Sequence, residues 1–159
     1  MGFLKRLRFS PQLFAAEAEK KFLDKDGLTY FWEKSKNYID GTDSGWLSPT
    51  VASQFEVYTT GKPPKYRKIG KVVEVRGILK PKSTLSASSV GTEHTMFTLP
   101  AGYRPSDRIS LLMQGSGMNK WMFDIGTDGV CSISRYGGTA VTDIPSGAWL
   151  SFQASYFVD

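Results

Sequence analysis

Flat aromatic side chains with nearby amide and carboxylate groups are the residues of this sequence best able to bind a ligand. Saccharides are held by aromatic faces that stack on C–H groups and by polar side chains that bond the hydroxyls. The aromatic candidates, in or near predicted loops or strand ends, are Trp46, Tyr103, Trp121, Tyr136 and Trp149. Asn119, Gln114 and Asp124 are the candidate polar partners. This pattern predicts a saccharide site; the alternative is that the aromatic rings fill a core or a subunit interface.

Residues for catalysis are scarce. His94 and Cys131 are the single histidine and the single cysteine, and a lone histidine cannot form a histidine-rich metal site. Asp124, Asp128 and Asp143 are the acids that a carboxylate-pair mechanism would use, but Asp128 is better explained by a turn. There is no nucleophile elbow, phosphate-binding loop, dinucleotide fingerprint or EF-hand spacing. We therefore predict no enzymatic activity, no metal and no cofactor, with a small glycan hydrolase or esterase as the less favoured reading.

The net charge of +5 is concentrated in one stretch of the chain. Residues 41–82 carry eight basic side chains against three acidic ones. Such a stretch suggests either nucleic-acid binding or a solvated hairpin with protective lysines. We favour the hairpin because no nucleic-acid recognition motif accompanies the charges, and we predict no nucleic-acid partner. No apolar run approaches the ~20 residues of a membrane span, so we also predict no membrane insertion.

The elements that must position these residues change in type near residue 41. Before it the periodicity is helical, with one helix predicted over Pro11–Phe22 and a second from about Asp26. Apolar residues recur on one face of the second helix, which is marginal alone and must pack on something. That face, predicted as an attachment or oligomer interface, consists of Leu28, Phe31, Trp32, Tyr38 and Ile39.

After residue 41 the pattern alternates as in β-strands. Strands are predicted at 54–59, 71–80, 94–99, 109–113, 121–125, 130–134 and 149–157, with a hairpin turn around Asp128 and Gly129. Short strands with turns every ~8–12 residues are typical of a β-sandwich or barrel. The sequence thus predicts a mainly β protein: a helical segment over 1–40 and an antiparallel, jelly-roll-like β-sandwich over 41–159.

Several segments of the sequence, taken in order, resemble segments of the tail-fibre and baseplate proteins of tailed bacteriophages of Gram-positive bacteria. They are the helical segment Phe22–Ile39, the basic ribbon Pro64–Gly77, then Phe97–Ser106 and Ile125–Val130, and a closing tryptophan strand. Their order is similar to the β-sandwich head at the tip of phage receptor-binding proteins. No site residue is transferred by this resemblance.

The resemblance implies a non-enzymatic homotrimer on the virion that adheres to a host cell-wall saccharide. It further implies contacts with other tail, baseplate or capsid proteins, a place at the tail tip or baseplate rather than the capsid, and synthesis in the host cytoplasm. The alternative is a purely structural baseplate connector or a capsid decoration or head-fibre protein.

Overall fold

A computed structural model describes residues 25–40, 43–86 and 92–158, with the backbone alone at 37–40. The chain divides into two units, Met1–Thr42 and Asp43–Asp159. The helix predicted over Pro11–Phe22 lies outside the described residues.

Helix α1 spans Lys25–Asp40 and carries Asp26 in its first turn, where a negative charge interacts favourably with the helix dipole. Leu28, Phe31 and Trp32 of this helix are 55%, 63% and 68% exposed. Tyr38 and Ile39 lie on the helix, but their side chains are outside the described part.

Residues 43–86 and 92–158 of the second unit contain eight strands, and all their pairings are antiparallel. They are β1 Phe55–Val57, β2 Lys65–Ile69, β3 Val72–Pro81, β4 His94–Thr98, β5 Ile109–Gln114, β6 Lys120–Ile125, β7 Val130–Gly137 and β8 Leu150–Phe157. Every predicted strand is present. The additional strand β2 was not among the predicted strands because Tyr66 is its one buried side chain, so its alternation is short.

The strands form two four-stranded sheets. In sheet A the long strand β3 pairs with β8 along one edge and with β1 and β2 along the other. Sheet B has the order β4-β7-β6-β5, in which three consecutive strands are joined by hairpins and β4 lies beside β7, a Greek-key arrangement. The mainly β, antiparallel class predicted from the sequence is confirmed.

The core lies between the sheets, because each contributes its apolar face. Phe152 of β8 in sheet A packs on Phe123 of β6 and Phe97 of β4 in sheet B, with ring centroids 5.0 and 5.5 Å apart. The inward residues of β8 alternate as the sequence predicted. Burial of these large rings is the main stabilisation of the sandwich.

Two turns set the registers that matter for the surface. The predicted turn at Asp128 and Gly129 joins β6 to β7; Gly129 has φ 85°, and the Asp128 carboxylate accepts a hydrogen bond from the Val130 amide. A two-residue turn, with Gly70 at φ 58°, joins β2 to β3. That short turn places Lys65 directly opposite Arg76.

Candidate functional site

The structure separates the predicted saccharide residues into four places, one of which is that of Trp46, stacked under Arg67 and Arg76. Five of them gather around the turn between β5 and β6: Gln114, Asn119, Trp121, Tyr136 and Trp149. The Asn119 amide donates hydrogen bonds to the Tyr136 hydroxyl and the Ser116 carbonyl, both at 3.1 Å. The Trp149 amide donates to the Ser116 hydroxyl at 2.7 Å. Tyr103 and Asp124 lie elsewhere in the sandwich.

Trp121 and Tyr136 require a correction, because both rings belong to the core. Their exposed fractions are 0% and 1%, so neither ring offers a face for stacking. Trp121 alternates with Phe123 and Ile125, which are also buried, and this pattern already indicated a core position. Tyr136 turns inward through a bulge in β7, where Arg135 has a φ of 52°.

Asp124 is also corrected, since its carboxylate is buried and occupied by internal donors. It is 4% exposed on the outward side of sheet B. The hydroxyls of Ser110 and Ser134 donate to its two oxygens, and the Arg108 guanidinium lies 3.3 Å away. Arg108 also bonds Glu93 at 2.5 Å, and this bond is the main reason that the pKa of Arg108 is raised. We call these five side chains the carboxylate network.

The single cysteine and the single histidine are likewise held in structural roles. Burial raises the pKa of the Cys131 thiol, which keeps the thiol protonated and a poor nucleophile. The His94 ring Nε2 donates a hydrogen bond to the Ser86 carbonyl oxygen at 2.8 Å.

Tyr103 packs against Tyr66, which lines a cavity in the described part of the sandwich. Its ring meets Tyr66 edge-on, with centroids 4.9 Å apart, and its carbonyl accepts the Tyr156 hydroxyl at 2.6 Å. Burial, together with the neighbouring Tyr103, raises the pKa of Tyr66, so this phenol stays neutral and can donate a hydrogen bond. The pair therefore fixes an aromatic wall at this end of the sandwich.

The cavity, which we call the hydroxyl cleft, has a volume of about 530 Å³. Residues 48–52 line the cleft where they cross from the edge of sheet A to the edge of sheet B. Leu47 pairs with Tyr66 of sheet A, and Val51 pairs with Phe97 of sheet B. Its lining combines apolar and hydroxyl-bearing side chains with one cation: Ser48, Pro49, Thr50, Val51, Ala52, Tyr66, Thr95, Phe97, Thr98, Leu99, Pro100 and Arg104. This combination of aromatic, hydroxyl and guanidinium groups suits a neutral polyhydroxyl ligand.

Sequence reasoning missed this cleft because its lining comes from four separate segments with no local motif. One signal was available: Thr95 and Thr98 flank the buried Phe97 on strand β4, and both are exposed at a sheet edge.

The described residues show neither a cluster of metal ligands nor a helix that could span a membrane. Within 25–40, 43–86 and 92–158, no three metal-ligating side chains of the His, Cys, Asp or Glu type gather at one point. None of the helices in that part of the chain has the length and apolarity to cross a membrane.

No family model and no curated protein matches the sequence. Among solved structures, the receptor-binding protein gp15 of Listeria phage PSA matches with a TM-score of 0.51 at 15% identity, over 91% of this chain and 88% of that chain. The head domain of the lactococcal phage bIL170 matches with a TM-score of 0.49 at 17% identity, over 72% of this chain and 97% of that chain. The match to gp15 confirms the expected likeness: the chain has the fold of a phage receptor-binding protein.

Proposed function

We propose that this chain is a receptor-binding protein at the tail tip or baseplate of a phage of Gram-positive bacteria. Its head adheres, without catalysis, to a saccharide of the host cell surface. The observation that carries the proposal is the shared fold with gp15 of Listeria phage PSA, which extends over 91% of this chain. That protein is described as a receptor-binding protein, and we extend this role to the present chain.

The saccharide occupies the hydroxyl cleft in this proposal. Thr50, Thr95 and Thr98 are exposed there and can exchange hydrogen bonds with sugar hydroxyls, while the Tyr66 ring supplies apolar surface. Tyr103, of the original candidates, contributes by supporting Tyr66. Trp149 and Asn119 bond the β5–β6 turn instead, and we assign them to that turn.

The apolar stripe of α1 is proposed to hold three copies of this chain together and to join them to other virion proteins. Leu28, Phe31 and Trp32 leave more than half of each side chain in water, which is unfavourable unless another surface covers them. A homotrimer in solution is expected, measured as mass by light scattering. Phe31→Glu should release monomers while the head retains its unfolding transition.

The adhesion test uses the purified full chain, fluorescently labelled, on cell walls of a panel of Gram-positive bacteria. Thr98→Trp should fill the hydroxyl cleft and abolish adhesion to the walls that the wild type binds. Thr84→Trp is the matched control, because Thr84 is exposed and does not line the cleft. Adhesion that survives Thr98→Trp would remove the cleft from the proposal.

The purely structural alternative predicts a different outcome. A connector or capsid decoration protein would bind virion components through α1 and show no wall adhesion by the head. Absence of adhesion to every wall tested, together with loss of virion attachment in Phe31→Glu, would favour that alternative.

A further inference from the structure

The outward side of sheet A carries three charged cross-strand pairs, and one of them differs from the other two. Glu56 faces Lys80 with a 3.1 Å ion pair, and Glu74 faces Arg67 with a 2.7 Å ion pair. The third pair joins two cations, Lys65 and Arg76, directly opposite each other on β2 and β3.

A like-charge pair in this position opposes folding. Directly opposite side chains on antiparallel strands have Cβ atoms only about 5 Å apart, and like charges there are destabilising. Gln153 continues the row on β8 as a neutral neighbour of Arg76. Among the described residues, no carboxylate lies within ion-pair distance of Lys65 or Arg76. A like-charge pair that no neighbouring carboxylate neutralises is expected where a ligand supplies the negative charge.

A cavity of about 400 Å³, which we call the cationic cleft, lies over this row. Lys65, Arg76 and Gln153 line it, and Lys62 adds a third cation from the loop 58–64. No acidic side chain lines the cleft. Three cations around one concave surface produce a positive potential that concentrates anions.

The loop that carries Lys62 is fixed in place. The Lys62 carbonyl accepts a hydrogen bond from the Ile78 amide at 3.1 Å, and the Tyr58 amide donates to the Ile78 carbonyl at the same distance. Pro64 packs so closely on Gly77 that a Cβ at residue 77 would lie 2.6 Å from the proline Cα. The wall of the cleft is therefore formed before any ligand arrives.

The guanidinium of Arg76 is also oriented in advance. It lies 3.9 Å from the ring centroid of Trp46, which Arg67 approaches at 4.5 Å. Stacking on an indole holds the guanidinium plane while its N–H groups remain available to bond an oxyanion in a two-pronged manner. Arg67 does not compete for the anion, because Glu74 already pairs with it.

We propose that the cationic cleft binds the oxyanion of a phosphate ester, with Arg76 as the principal ligand and Lys65 and Lys62 as supporting cations. The biological part of the proposal rests on the proposed function: the ester would be carried by the host surface polymer that the head adheres to. The cleft is separate in its lining from the hydroxyl cleft, so the head would read a charged group and a hydroxyl-rich group at two sites.

The test measures binding to the full chain by amide-resolved NMR titration, with dimethyl phosphate as the ester and inorganic phosphate as the free anion. Shifts are expected for residues of the cationic cleft, and Arg76→Gln should weaken dimethyl phosphate about tenfold, the loss of one charge-assisted hydrogen bond. Lys65→Gln should weaken it less. Lys71→Gln, a matched charge removal outside the cleft on the same sheet, should leave affinity unchanged.

The other outcomes test the site, the ester assignment and the proposed function separately. Equal affinities in Arg76→Gln, Lys71→Gln and the wild type would overturn the site. Binding of inorganic phosphate without dimethyl phosphate would overturn the ester assignment and leave a free-anion site. Ester binding by a chain that adheres to no cell wall would support the cleft while rejecting the proposed function, so the two failures are distinguishable. Circular dichroism of each variant confirms that it is folded.

Discussion

On the outward side of sheet B, the buried carboxylate of Asp124 is surrounded by donors, whereas on the outward side of sheet A Lys65 faces another cation, Arg76. Both groups lie on the solvent side of a strand. The Asp124 carboxylate is buried and already accepts bonds from its own neighbours, so it is not available to a ligand. The cationic row remains open and lies under a cavity. Internal compensation thus distinguishes a structural charge from one available for binding.

The largest effect is expected from disrupting the carboxylate network of sheet B. Asp124→Ala removes the buried carboxylate that the Ser110 and Ser134 hydroxyls and the half-exposed Arg108 guanidinium share. The free energy of unfolding should fall by about 3 kcal/mol. Urea denaturation measures the change. Asp107→Ala is the control, because Asp107 is exposed and should tolerate truncation; equal midpoints for the two variants would contradict the structural role of the network.

A second variant tests how the open side is held open. Gly77→Ala places a methyl group 2.6 Å from the Pro64 Cα and 2.9 Å from the Phe152 ring. The free energy of unfolding should fall by about 2 kcal/mol, because backbone must shift to admit the methyl group. Gly61 lies in the loop 58–64, with open space around its Cα, so Gly61→Ala should be neutral. A neutral Gly77→Ala would show that the wall of the cationic cleft is adjustable.

The alternation of residues anticipated most of the fold, for a simple reason. Strand β8 buries every second side chain, Leu150, Phe152, Ala154 and Tyr156, and a period of two is visible without the structure. Strand β2 gave only a short signal because Tyr66 is its one buried side chain. Its two-residue turn at Gly70 could still have fixed the pairing of Lys65 with Arg76.

The binding surfaces were much less predictable. Whether an aromatic ring lies in the core or at the surface depends on which face of the sheet it occupies, and the bulge at Arg135 reverses that face for Tyr136. The hydroxyl cleft joins residues 48–52 to β4 and Arg104, which are far apart in sequence. Long-range packing of this kind leaves no local pattern.

A third variant removes the Trp46 ring, which orients the Arg76 guanidinium. Trp46→Ala deletes the ring on which Arg67 and Arg76 stack and should lower the free energy of unfolding by about 1 kcal/mol. Dimethyl phosphate affinity should fall as well, since Arg76 loses its fixed orientation. Phe157→Ala is the control: this ring is 74% exposed on the same side of sheet A and has no cation stacked on it. Equal phosphate affinity in Trp46→Ala and the wild type would show that Arg76 needs no support.

The smallest expected effect is the sharpest test, because its sign is opposite to that of most substitutions. Lys65→Gln removes the like-charge repulsion with Arg76 and should raise the free energy of unfolding by about 0.3 kcal/mol at low salt. The gain should vanish near 1 M salt, where charges on exposed side chains are screened within about 3 Å. The same variant should bind dimethyl phosphate more weakly. Lys71→Gln, outside the cleft, should change neither quantity. A variant that loses stability at low salt would mean that Lys65 contributes to the fold, and the cationic row would then be a structural feature like the carboxylate network.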